Sequence, residues 1–279
     1  MSNVFDERRC VLGEGPLWHP ERQQLFWFDI LSKRMMTREN GSAGSWEFDE
    51  YVSAAGWVSK SEMVIASASR IFLFNLDTEA KTKLCDLEAD DPVTRSNDGR
   101  ADPKGGFWIG TMGINAEQGK GSIYRFYKGE LRRLYSSITI SNAICFSPDG
   151  QMAYFADTAT KSIQQVALDA EGWPSGTPTL FADFSNEDLN PDGAVVDTQG
   201  YLWNAQWGAN RVARYAPNGN FVEEITFTAQ QVSCPAFGGA DLGTLFATTA
   251  AEGLDGSFEG KTYFAQTSAI GQPENRVIL

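Results

Sequence analysis

QLFWFD (24–29), EMVIAS (62–67), GFWIGT (106–111), MAYFAD (152–157), YLWNAQ (201–206) and TLFATT (244–249) are six runs of one kind. Each places a large apolar residue three positions before a small or polar one, and each is rich in the aromatic and branched residues that suit a pleated strand. Aligned on Phe26, Val64, Trp108, Tyr154, Trp203 and Phe246, they recur at intervals of 38, 44, 46, 49 and 43 residues. That interval is the length of a four-stranded blade.

A second strand follows most of these marks, as in IFLFNLD (71–77), SIYRFY (122–127), SIQQVALD (162–169) and RVARYAPNG (211–219). Turn-rich segments precede five of them: HPERQQ, DPKGG, SPDGQ, DTQG and GGADLG. Such segments are where an inner strand reverses into the next. The pattern predicts an all-β fold, a six-bladed β-propeller with four antiparallel strands per blade, over residues 1–279 as a single domain. A sandwich or barrel does not require six equivalent units. An unpaired edge would remain unless the chain ends meet, so residues near 3 to 11 are expected to form the outer strand of the blade containing Phe246.

Composition narrows the function. Hydrophobic residues are 42% and charged residues 21% of the chain, enough to bury a core unaided. The formal net charge of -13 opposes binding to phosphate backbones, so no nucleic acid partner is expected. No run approaches the length needed to span a bilayer, so no membrane partner is expected either, and the N-terminus MSNVFDERRC reads as that of a cytoplasmic protein. Cys10, Cys85, Cys145 and Cys234 lie far apart without a CxxC and read as free thiols. With His19 as the only histidine, a histidine triad or multi-histidine metal cluster is excluded; His19 itself reads as structural.

Phase along the repeat selects the site. Polar residues recur 11 or 12 places before the marks: Glu14, Asn97, Asn142 and Asp192, with Cys234 at the corresponding place in the sixth unit. These positions begin the inner strands, in GEGPLWHP, RSNDGRADP, SNAICFSPDG and PDGAVVDTQG, and should converge at one mouth of the central channel. Asn and Asp beside Gly and Pro are also ordinary turn residues; four of six units sharing one phase favours a site. Two carboxylates with amide oxygens are hard donors suited to one divalent metal ion, Ca²⁺, Mg²⁺ or Mn²⁺, with Zn²⁺ also possible. Without a cation, two such carboxylates repel and one tends to keep its proton.

At these residues the sequence resembles the gluconolactonase and regucalcin-like sugar lactonases, the senescence-marker-protein family. The stretches that carry the resemblance are GEGPLWHP (13–20), RSNDGRADPKGGFWIGTM (95–112), ISNAICFSPDG (140–150) and NPDGAVVDTQGYLW (190–203), in the family's order and spread over essentially the whole chain. The resemblance implies that Glu14, Asn142 and Asp192 bind the metal, that Arg95 and Asn97 hold substrate, and that Asp192 is also the catalytic proton acceptor and donor. Where some members carry a substrate-contacting acid after the GTM segment, this chain has Asn115, with Glu117 two residues on. The implied activity is metal-dependent hydrolysis of a small sugar-acid lactone; the protein is expected to be a monomer or weak dimer. Read on their own, Arg95 can instead pair with Asp90 or Asp91, and Asn97 can be a turn residue before Asp98-Gly99. Trp207, in QWGANR, is a further candidate to touch a ligand. Two alternatives stay open: a paraoxonase-like esterase on the same propeller, and a non-catalytic calcium-binding propeller.

Overall fold

The computed structural model describes residues 2–279. Its strands form six sheets, each of four antiparallel strands: a six-bladed β-propeller. The inner strands are Gly13–His19, Val52–Ser59, Thr94–Ala101, Ser141–Phe146, Asn190–Val196 and Gln231–Gly238. Each contacts the inner strand of the next blade, and the sixth returns to the first. All six marks fall in the second strands of their blades.

The ring follows from how apolar side chains are distributed. In the first blade the two inner strands are almost wholly buried, whereas the outermost, Ser42–Glu47, is mostly exposed. A strand buried on both faces must cover both with neighbouring blades. Accordingly, a hydrophobic cluster fills each gap between adjacent blades, with Trp27, Trp108 and Trp203 fully buried among them. Removing each such indole from water contributes several kcal/mol, at roughly 25 cal/mol per Å² over about 150–250 Å².

The last blade takes its outer strand from the N-terminus: Asn3–Asp6 pairs antiparallel with Thr262–Gln266. This strand stops at Asp6, well short of residue 11, because the Asp6 carboxylate accepts the Arg8 backbone N–H (2.9 Å) and turns the chain there. Residues beyond 266 cross the channel mouth at the far ends of the inner strands. There Gln272 donates to the Phe146 and Val196 carbonyls, Glu274 pairs with Arg100, and Val277 is buried against Gly56.

One irregularity repeats at the opposite mouth. Every inner strand carries a register shift near its start: between Glu14 and Leu17, Val52 and Ala54, Ser96 and Gly99, Asn142 and Cys145, Pro191 and Ala194, and Val232 and Cys234. A bulge leaves a residue unpaired and re-aims its side chain. Six bulges at one level therefore release six positions toward one mouth.

Candidate functional site

Glu14, Arg95, Asn97, Asn142 and Asp192 all line one cavity of about 530 Å³ at that mouth. Each is buried although polar or charged. Glycines permit this crowding: Gly15 has a left-handed φ of 53°, and a Cβ there would strike the Ser53 carbonyl of the next blade. A Cβ at Gly193 would strike the Cys234 sulfur in the same way. Each carboxylate thus neighbours a residue small enough for two inner strands to close in.

Charge is unbalanced here. The buried carboxyls of Glu14 and Asp192 lie close enough for each to act on the other. Burial, then the charge of Asp98, pushes Glu14 up to about 8. Asp192 is raised well above the carboxylate range by burial, then by Glu14 and Asp98. Asp98, one step deeper and accepting the Ile144 N–H (2.7 Å), is pushed by burial to about 6. Arg95, also buried, has Glu14 as its largest opposing charge. Arg95 faces Glu14 and Asp192, and Arg100, the guanidinium that acts on Asp98, is already paired with Glu274, so negative charge is in excess.

The amides are held tightly. Arg95 Nη1 donates to Asn97 Oδ1 (2.8 Å) and to the Ser96 carbonyl (2.9 Å), and among the described residues Asp91 pairs with Lys120 rather than with Arg95. Its buried Nε–H has no partner among the described residues. Asn97 Nδ2 donates to the Ser141 carbonyl (2.9 Å) and to Asn142 Oδ1 (3.2 Å). Asn115 reaches the cavity only at its exposed rim, where Glu117 accepts from its backbone (3.0 Å) and side-chain amides (3.1 Å). Trp207, Leu12, Leu31, Met112 and Ile140 add apolar surface to the lining from several blades. His19 lies at the other end of its strand, donating from Nε2 to the Ser59 carbonyl (3.0 Å).

These donors fit a divalent cation. Among the described residues no three His, Cys, Asp or Glu side chains cluster as a metal site; the oxygens available to an ion here are the Glu14 and Asp192 carboxylates and Asn142 Oδ1. That all-oxygen set, with its excess negative charge, suits a hard cation with water completing the shell.

Sequence reasoning passed over Thr158, Glu252 and Lys161, which also line the cavity. Thr158 was within reach: Met112, Thr158 and Trp207 each lie four residues after a mark, and all three line the cavity.

The model of the family described as SMP-30/gluconolactonase/LRE-like region matches residues 12–251. A protein of Rhizobium meliloti, provisionally named a sugar lactone lactonase, is 40% identical over 91% of this chain and 87% of its own length. The L-arabinolactonase of Azospirillum brasilense is 33% identical over 99% of this chain and 95% of its own. The crystal structure of a calcium-binding protein, regucalcin, from Agrobacterium tumefaciens superposes with a TM-score of 0.97 at 38% identity, over 100% of this chain and 98% of that one. The chain belongs to the SMP-30/gluconolactonase/LRE-like family.

Proposed function

We propose that this lactonase opens a small aldonolactone by adding water across its ring ester, with one divalent cation held by Glu14, Asn142 and Asp192. The observation that carries this reading is the opposed, buried pair Glu14 and Asp192 on the floor of a cavity that Arg95 and Asn97 also line. The relatives named for sugar lactones, over nearly the full length of the chain, support it.

When bound, the cation supplies Lewis acidity toward the ester carbonyl and lowers the pKa of water at the site. Asp192 takes a proton from the attacking water and returns it to the ring oxygen as the C–O bond breaks, so protons balance over the cycle. Arg95, with its Nε–H unpartnered, offers a donor to substrate oxygen, and Asn97 keeps one lone pair of Oδ1 for a sugar hydroxyl. Asn115 belongs to the rim, where substrates of different length diverge.

The apolar lining residues Leu12, Leu31, Met112, Ile140 and Trp207 favour one second reading, hydrolysis of aryl esters. Pentono- and hexonolactones set beside aryl esters in a pH-indicator assay, with chelator and then with added Ca²⁺, Mn²⁺, Mg²⁺ or Zn²⁺, separate the two. The lactones should turn over, cation-dependently, and Asp192→Asn should lower turnover at least ~100-fold. Undiminished turnover after exhaustive chelation, or in the Asp192→Asn enzyme, rejects the proposal. Binding of cation without turnover of any ester supports instead a propeller that only holds calcium.

A further inference from the structure

A directed chain of hydrogen bonds runs through the cavity floor and joins three blades. Arg95 donates to Asn97 Oδ1 (2.8 Å), Asn97 to Asn142 Oδ1 (3.2 Å), Asn142 Nδ2 to Thr158 Oγ1 (2.8 Å), and the Thr158 hydroxyl to the Pro191 carbonyl (2.7 Å). Its ends fix its direction. A guanidinium only donates and a backbone carbonyl only accepts, so each amide between them has one orientation that satisfies both neighbours. Thr158 has a single hydroxyl proton, and Pro191 takes it. The Thr158 oxygen then can only accept, which pins the NH₂ of Asn142 on Thr158 and turns the Asn142 oxygen the other way, toward Asn97. An amide flip that is ordinarily a matter of choice is settled here by donor and acceptor chemistry at both ends.

The hydroxyl is itself held firmly. Thr158 opens a single turn of 3-10 helix, Thr158–Thr160, capped by Asp157, whose carboxylate also accepts the N–H groups of Thr139 (2.8 Å) and Ile140 (3.0 Å). Pro191 directly precedes Asp192. One hydroxyl therefore links the amide of the fourth blade to the backbone that carries the carboxylate of the fifth.

We infer that Thr158 is a positioning residue for the cation site: its hydroxyl sets which face Asn142 presents and ties that amide to the strand bearing Asp192. This rests on the cation reading given above. Without the hydroxyl, the Asn142 NH₂ loses its acceptor and only the 3.2 Å contact from Asn97 still holds the Asn142 oxygen in place, so the amide that would ligate the cation is less firmly fixed. The Thr158 side chain does not touch the ion in this account, so its effect should fall on affinity and should return with any residue that restores the hydroxyl.

The test is a Mn²⁺ titration of the melting temperature of the full-length, EDTA-stripped protein, which reads binding without turnover. Thr158→Val keeps the volume and removes both hydrogen bonds; Thr158→Ala does so with less bulk, in case the valine disturbs folding; Thr158→Ser keeps the hydroxyl. The Mn²⁺ concentration at half-maximal stabilisation should rise about 10-fold or more in the Val and Ala variants, the usual range for outer partners of a ligand, and stay within about threefold of wild type in the Ser variant. Asp192→Asn separates the two claims. If it loses the Mn²⁺ response while Thr158→Val and Thr158→Ala keep the wild-type midpoint, the role of Thr158 is overturned and the cation site stands. If Asp192→Asn titrates like wild type, the cation reading fails and the Thr158 proposal fails with it. A Ser variant as weak as the Val variant also overturns it.

Discussion

In protein stripped of cations, Glu14→Gln should stabilise the fold at alkaline pH while doing nothing for it at acid pH. Glu14 is only 4% exposed, and burial with the nearby charges of Asp98 holds its carboxyl at about 8 rather than 4.5. In the unfolded chain the same carboxyl ionises near its ordinary value. Between those two pH values the folded protein keeps a proton that the unfolded chain releases, so stability is full below about pH 4.5 and is lost as pH rises through 8. At ~1.4 kcal/mol for each tenfold change in proton affinity, the loss accumulated across that window is on the order of 4–5 kcal/mol. Asp192 is shifted the same way and adds to the slope. For a chain of this size, that corresponds to a fall of roughly 10 °C in melting temperature.

Glutamine has no proton to keep and no charge to repel Asp192, so its curve should fall about half as steeply as wild type. The two curves should meet near pH 5 and separate by several degrees at pH 8.5. Scanning calorimetry in EDTA from pH 5 to 9 gives the comparison, and repeating it in saturating Mn²⁺ should restore wild type at high pH but not Glu14→Gln. Parallel curves, or a uniform loss in the variant at every pH, would refute the idea that two crowded carboxyls are what the cation relieves.

Other outcomes follow from the same coordinates. Asp102 and Arg125 form a fully buried ion pair (2.6 Å), with the Arg125 guanidinium over the Tyr127 (4.4 Å) and Trp173 (4.3 Å) rings, so Asp102→Asn strands a buried cation. Urea denaturation should show a loss of about 3–5 kcal/mol, and a change below about 1 kcal/mol would contradict the burial argument. Burial holds His19 below its ordinary 6.5, and its Nδ1 accepts the Arg22 N–H (3.3 Å), which requires a neutral ring. Its contribution to stability is thus complete above pH 6.5 and lost as pH falls through the folded-state value; the one imidazole signal in the NMR spectrum should titrate below 6.5, and a midpoint at or above it rejects this. Removing residues 270–279 uncovers Val277 and deprives Arg100 of Glu274, and should lower the melting temperature by several degrees or more. Deleting residues 1–11 takes away the outer strand of the last blade and should act similarly; truncated proteins that melt like the full chain would show that neither end secures the ring.

The propeller was legible because its cause is repeated six times. A large side chain at the middle of each second strand must fill a gap between blades, and Phe26, Val64, Trp108, Tyr154, Trp203 and Phe246 keep that phase through intervals that vary by eleven residues. The bulges were not legible as such. Gly15 and Gly193 mark two of them, but the others sit in unremarkable sequence such as Val52–Ala54. The crossing made by residues 267–279 could not be read either, since its hydrogen bonds reach carbonyls on several blades and follow no period. In the site, Glu14, Asn97, Asn142 and Asp192 stand out because polar side chains at one phase of an otherwise apolar strand need a reason. The place of Thr158 on the lining was legible from its phase four residues after a mark, but its partner, the backbone carbonyl of Pro191, is encoded by no side-chain pattern.

The most direct measurement is an anomalous-difference map from a crystal of the full chain soaked in Mn²⁺. A single strong peak is expected at the cavity floor, about 2–2.6 Å from oxygens of Glu14, Asn142 and Asp192. A map with no peak among those three side chains, from protein whose lactone hydrolysis still requires the ion, would contradict it.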